Sequence, residues 1–240
     1  MIIQAVDVTK VYETRGVLTR ALDGVCLGLE AGEFCALAGP SGSGKTTLLN
    51  LLGALDAPTS GKIQIEGVEL SELSPAQLSD LRLHKLGFVF QAYNLIPVLT
   101  ARENVEFVME LQNISNKERR DRAMAVLERV GLAGLEDKRP LEMSGGQQQR
   151  VAVARAIASR PRVVLADEPT ANLDSGTATA NLDSGTATQL LELMAELNRE
   201  DGVTFLFSTH DPLVMDAARR VVRLHDGRVV DDDRKGQVSA

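Results

Sequence analysis

Apolar residues recur along this chain in two rhythms, every second position and every third or fourth, and the switches between them predict its elements. Residues 2–8 and 25–30 read as two short strands around a polar turn. An apolar run, Phe34–Ala38, reads as a buried strand, followed after a glycine-rich stretch by a helix over Lys45–Leu52 with Leu48, Leu49, Leu51 and Leu52 on it. Ile63, Gln64 and Ile65 alternate and then meet Gly67, as an edge hairpin would. Residues 74–85 are helical in pattern and lead into an apolar strand, 86–90, that ends at Gln91. Helical periodicity returns over 100–134, where Lys117, Glu118, Arg119 and Arg120 mark a solvated face. A further helix is expected over 147–159, opened by a Ser-Gly-Gly turn, packed through Val151, Ala154 and Ala158, and stopped by Arg160-Pro161.

Val163, Val164, Leu165 and Ala166 form a continuous apolar strand of the kind covered on both faces in a parallel sheet. Phe205, Leu206 and Phe207 repeat that arrangement and deliver Ser208, Thr209 and His210. In open α/β sheets ligands bind beyond the carboxyl ends of the strands, so Lys45, Gln91, Glu168 and His210 are candidates for one crevice.

Composition narrows the partners. With 44 % apolar content, 240 residues can bury a core as one large domain or as a domain with a sub-lobe. The charge, 26 minus 33 or −7, lacks the basic footprint of a nucleic-acid binder. Trp is absent and only Tyr12 and Tyr93 join six Phe, which leaves few platforms for stacking bases. Cys26 and Cys35 have no metal-ligand spacing and are expected as buried thiols in a reducing compartment. No stretch reaches about 18 consecutive apolar residues, and the N-terminus lacks the basic-then-apolar order of a signal peptide. A cytoplasmic chain with no membrane span of its own is expected.

The chemistry concentrates at residues 39–46, Gly-Pro-Ser-Gly-Ser-Gly-Lys-Thr, which fit Gly-x-x-x-x-Gly-Lys-[Ser/Thr]. Glycines let successive N–H groups turn inward toward phosphate oxygens, and the positive start of the following helix adds to the attraction. Lys45 would reach the β- and γ-phosphates and the Thr46 hydroxyl would hold Mg²⁺. Asp167, at a strand end, stands where a second Mg²⁺-holding carboxylate is expected; Glu168 should point to the other side of the pleat. Two adjacent buried acids without a cation would repel, which favours a metal site. Ser144-Gly145-Gly146 at a helix start is a second anion site.

These motifs, with Met143-Ser144-Gly145-Gly146-Gln147 about a hundred residues after the loop, resemble the ATPase subunits of ABC transporters over residues 2–230. The resemblance implies an α/β fold: a P-loop NTPase core with a mainly parallel sheet, an N-terminal antiparallel β subdomain, and a helical subdomain bearing the signature motif at approximately 92–160, all within one domain spanning 1–240. It implies ATP held by Gly39, Pro40, Ser41, Gly42, Ser43, Gly44, Lys45, Thr46 and Thr47, with adenine on Tyr12. Mg²⁺ would be held by Thr46, Asp167 and Gln91. Glu168 would orient the attacking water, Gln91 would touch Mg²⁺ and that water, and His210 would contact the γ-phosphate. Ser144, Gly145, Gly146 and Gln147 would close on the nucleotide of a second copy in a head-to-tail, ATP-dependent homodimer. From the residues alone, Tyr12 reads equally as a strand-end aromatic, His210 as a packing or capping histidine, and Gln91 as nondescript; His84 and His225 are assigned no role.

Residues 87–97 and 144–150 look most like the branch of lipoprotein-releasing, macrolide-efflux and cell-division ATPases. That implies an integral membrane permease as partner and a position at the inner face of the cell membrane. A regulatory ATPase that moves no cargo stays open as an alternative. A soluble ABC ATPase of DNA repair or translation is disfavoured by the acidic balance and the lack of coiled-coil or tandem domains.

One feature departs from the family. Residues 170–178 read TANLDSGTA, and 179–187 read the same nine residues again. The family has one such segment, the D-loop, which crosses the dimer axis. Nine extra residues are 2.5 helical turns, so an uninterrupted helix would carry its upstream end about 13 Å further. Looping out one copy is the expectation, with residues 171–174, including Asp174, as the working D-loop and 180–183 as the rival.

Overall fold

The computed structural model describes residues 1–14, 16–171 and 180–235, and for 180–186 the backbone alone. Strands β1 (Ile3–Thr14) and β2 (Val17–Leu29) form one long antiparallel hairpin. With β4 (Ser60–Ile65) and β5 (Val68–Glu69) they make a four-stranded sheet ordered β2-β1-β4-β5. The hairpin corrects the expectation of two short strands around a polar turn. Leu22, Val25, Leu27 and Leu29 keep one face buried, and the polar residues before them extend the pairing toward Gly16. The same alternation puts Cys26 on the exposed face, so it is not the buried thiol expected; Cys35 is buried. Burial pushes the Cys35 thiol up to about 12.

The second sheet has six strands in the order β10-β9-β3-β8-β7-β6. β3 (Phe34–Ala38), β6 (Leu86–Val89), β7 (Val163–Asp167), β8 (Thr204–Thr209) and β9 (Arg220–His225) run parallel, and β10 (Arg228–Arg234) is antiparallel to β9. This last hairpin was not expected, although Asp226-Gly227 is a legible turn signal. Both residues have positive φ, 46° and 74°, as a tight hairpin turn of matching twist requires.

Both faces of this sheet are covered, which is why its strands are continuously apolar. Phe34, Phe205 and Phe207 enter one core, where the Phe34 and Phe207 ring centroids are 4.6 Å apart. α3 (Ala101–Leu111), α4 (Asn116–Arg129) and α5 (Gly145–Ala158) contribute to that core. Cys35, Leu37, Leu165 and Leu206 enter the other, against α1 (Lys45–Leu52) and the antiparallel sheet. The periodic run 100–134 is two helices, each with a side-chain N-cap, Thr100 and Ser115, separated at Asn113 with φ 57°. α2 (Pro75–Lys85) opens with the Ser74–Gln77 capping box and α7 (Pro212–Ala217) with Asp211.

α6 spans Ala180–Asp201, so from Ala180 on the second repeat copy is helical and not looped out. Propagating a helix adds a hydrogen bond for each residue fixed, which favours extension once the helix exists. Asp174 lies outside the described residues. Among the described residues, no helix is long and apolar enough to cross a membrane.

Candidate functional site

β3 delivers the chain into the glycine turn, and α1 opens straight out of it. Gly44 sits at φ 102°, where a Cβ would meet Ala21 O at 2.5 Å, so only glycine fits without strain. A Cβ on Gly39 would collide with the backbone of Leu224 in β9. No side chain caps α1, so its start keeps the positive partial charge of helix donors without a side-chain acceptor. Lys45 Nζ folds back on the loop, donating to Gly39 O at 2.7 Å and Pro40 O at 3.0 Å. Ser43 Oγ is buried with no partner among the described residues. A donor-rich turn with a buried cation and an orphaned hydroxyl suits an anion that presents several oxygens.

β7 brings the carboxylates alongside. Thr46 Oγ1 lies 3.2 Å from each Asp167 carboxylate oxygen, across 121 residues of sequence. Glu168 leaves the strand with φ 46°, which replaces the expected pleat alternation. Both carboxylates therefore reach the same region. Glu168 Oε1 lies 2.7 Å from His210 Nδ1, delivered by β8. An ionised carboxylate only accepts, so Nδ1 is the donor. Around these groups lies a crevice of about 600 Å³ whose walls include Gly44, Lys45, Thr46, Gln91, Glu168 and His210. Sequence reasoning missed a further wall, Thr19 to Ala21 on β2, because the polar run there was read as a turn.

Two predicted groups lie away from the crevice walls. Tyr12 donates to Asp56 Oδ2 at 3.0 Å, and Lys10 Nζ sits 4.9 Å from its ring centroid. Burial opposes ionisation of Asp56, but hydrogen bonds from Lys10, Ala57 and Tyr12 outweigh it and hold the carboxyl below its usual range. The Ser144 turn forms the start of α5, two residues earlier than expected, with Gly145 and Gly146 inside the first turn. Ser144 Oγ accepts from Gln147 N at 3.3 Å, and Gln147 Oε1 accepts from Ser144 N at 3.0 Å.

Two α5 residues that sequence reasoning passed over tie this helix to the segments bearing Gln91 and Glu168. Arg155 donates to Tyr93 O and Asn94 O, both in residues with left-handed φ. Gln149 donates to Pro169 O at 2.8 Å. The signal was present: a polar residue at position 149 falls in the apolar register of the helix.

An anion cradle flanked by hard-oxygen ligands and a carboxylate–imidazole pair, at the carboxyl ends of parallel strands, defines a phosphate-loop nucleotide hydrolase. Residues 22–171 match the ABC transporter family, and the chain belongs to it. An uncharacterised ABC transporter ATP-binding protein of Thermotoga maritima is 46 % identical, covering 99 % of this chain and 97 % of that one. The lipoprotein-releasing system ATP-binding protein LolD of Anaeromyxobacter dehalogenans is 45 % identical over 94 % and 91 % respectively. The macrolide export ATP-binding/permease protein MacB of Hyphomonas neptunium is 44 % identical over all of this chain, which spans about a third, 36 %, of that protein. Among solved structures, the dimeric, ADP- and Pi-bound ATP-binding cassette MJ0796 of Methanocaldococcus jannaschii superposes with a TM-score of 0.88 at 40 % identity, covering 98 % of this chain and 100 % of that one. The α/β fold and the family expected above are thus borne out, and the chain is an ABC ATPase.

Proposed function

We propose that this chain is the ATP-hydrolysing subunit of a membrane complex, in which two copies close head to tail over two nucleotides and drive an integral membrane permease. The observation that carries the reading is the convergence of Thr46 and Asp167 beside the Lys45 loop, with Glu168 and His210 2.7 Å apart on the same crevice. Residues 39–47 hold the phosphates, Lys45 exchanging its loop carbonyls for β- and γ-oxygens. A hydroxyl and a carboxylate are hard-oxygen ligands that fit Mg²⁺, which usually keeps waters and takes substrate phosphates as its remaining ligands. Thr46, Asp167 and Gln91 would hold that ion, and it would supply neutralisation of phosphate charge. Glu168 orients the attacking water, and His210, donating to Glu168 through Nδ1, presents its other edge to the γ-phosphate. Ser144 to Gln147 of each copy complete the other's pocket, and Asp174 contributes at the dimer axis. Tyr12 offers adenine an aromatic face, with Lys10 Nζ 4.9 Å from its ring centroid.

The domain spans 1–240 with the helical signature subdomain at approximately 92–160. An apolar groove of about 580 Å³, lined by residues including Phe88, Phe90, Ile96, Phe107 and Leu111, offers the permease a seat beside Gln91. The names of relatives, a lipoprotein-releasing system and a macrolide export protein, support lipoprotein release or efflux as the work done; mechanotransmission and a peripheral position at the inner face of the membrane belong to the same proposal. Glu168→Gln is expected to bind ATP normally while losing about 10²–10⁴-fold in steady-state turnover. Normal turnover would remove Glu168 from its role.

A further inference from the structure

Gln149 is 1 % exposed on α5, in step with Ala152, Val153 and Ala156, which are buried apolar residues. Its Nε2 donates to Pro169 O at 2.8 Å, while its Oε1 is buried with no partner among the described residues. Flipping the amide would set oxygen against the Pro169 carbonyl, so the partner fixes the orientation. An unpaired buried acceptor costs about 1–3 kcal/mol; a methionine would fill the same volume and remove that cost, but it would leave the buried Pro169 carbonyl without this donor at a similar cost, so the two offset. Stability alone gives no reason for glutamine here. Its one hydrogen bond among the described residues must supply the reason.

That contact grips the backbone one residue past Glu168. A non-glycine residue at φ 46° is held against a cost on the order of 1–3 kcal/mol and persists only where neighbours over-determine it. Three ties come from the segment itself and from β8 and the start of α7. Glu168 N donates to Ser208 O at 2.8 Å, Ala171 N to Glu168 O at 3.1 Å, and Thr170 Oγ1 to Asp211 Oδ2 at 2.8 Å. Gln149 supplies the tie to α5, the helix that Ser144 opens.

We infer that Gln149 is a positioning residue for hydrolysis, fastening the strained Glu168 turn to the Ser144 helix so that Glu168 is in working position only when α5 is docked. The inference rests on the proposed role of Glu168. In the head-to-tail pair, Ser144 meets the partner's nucleotide and Gln149 carries that engagement to the chain's own carboxylate, so each pocket reports to the other.

The test uses the full chain with MgATP. Gln149→Met is expected to keep the thermal midpoint and the KM for ATP, and in a Glu168→Gln background to keep ATP-driven pairing, while kcat falls at least about tenfold, as misplacement of a catalytic group does. Gln149→Glu adds a readout that packing alone does not move. A protonated carboxyl can still donate to Pro169 O and an ionised one cannot, so kcat should fall as pH rises through this buried carboxyl's raised pKa, a step absent from the wild type. A Gln149→Met kcat within about twofold of wild type overturns the inference, as does a loss of kcat matched by a lowered thermal midpoint. If Gln149→Met fails to fold, the pH profile of Gln149→Glu decides, and a profile parallel to wild type overturns the inference. An inactive Glu168→Gln beside a fully active Gln149→Met removes Gln149 alone, whereas an active Glu168→Gln removes the reading beneath it.

Discussion

Two helix starts in this protein carry the features of anion sites, and they solve the problem of their loose N–H groups in opposite ways. α1 opens from Gly44 at φ 102° without a side-chain cap, beside a lysine folded on its own loop and a serine hydroxyl with no partner among the described residues. α5 opens from Ser144 in a complete capping box that satisfies donors internally. The first start is left without any side-chain cap; the second has its Ser144 and Gln147 N–H groups paired before any ligand arrives. A chain alone should therefore bind nucleotide through α1, and α5 should matter only once a second chain presents it to a phosphate already bound.

The sharpest way to break that contrast is to remove the lysine. Lys45→Ala should lose nucleotide binding by the single chain and at least about 10²-fold in turnover, read by titration with a fluorescent ATP analogue and by phosphate release. Ser144→Ala should leave single-chain nucleotide affinity unchanged, abolish ATP-driven pairing, and cost about 1 kcal/mol of stability through the lost cap, read by thermal unfolding. Equal losses of nucleotide affinity in both variants would erase the distinction.

The repeat supplies a smaller test. Thr170 is buried and bonded to Asp211, whereas the second copy is helical from Ala180. Deleting residues 179–187 should leave the ATPase rate unchanged, because the first copy keeps its short tether to Glu168. Removing either copy leaves the same sequence, so a changed rate would show that the nine extra residues themselves act on the site. The smallest effect concerns the strand that feeds α1. The Cys35 thiol, pushed up to about 12 by burial, should resist alkylation while exposed Cys26 reacts, and saturating MgATP should slow Cys35 labelling further.

Much of the crevice was legible because its residues stand at strand ends, where apolar runs stop abruptly. Phe34–Ala38 and Lys45–Leu52 were bounded correctly by that contrast. What escaped reading depends on pairing between distant segments. β2 continues through polar residues because β1 lies beside it, and so it brings Thr19 to Ala21 to the crevice wall. Glu168 leaves the strand toward His210 through a left-handed φ that strand periodicity does not encode. Gln149 looked like one glutamine among three, and only its carbonyl partner twenty residues away shows why it lies inside.

Sedimentation velocity of Glu168→Gln tests the central claim most directly. The account predicts a single-chain species in nucleotide-free buffer that converts to a two-chain species with saturating MgATP, and fails to convert when Ser144→Ala is added. A Glu168→Gln protein that binds MgATP yet still sediments as single chains, alone and with its membrane partner, would contradict it.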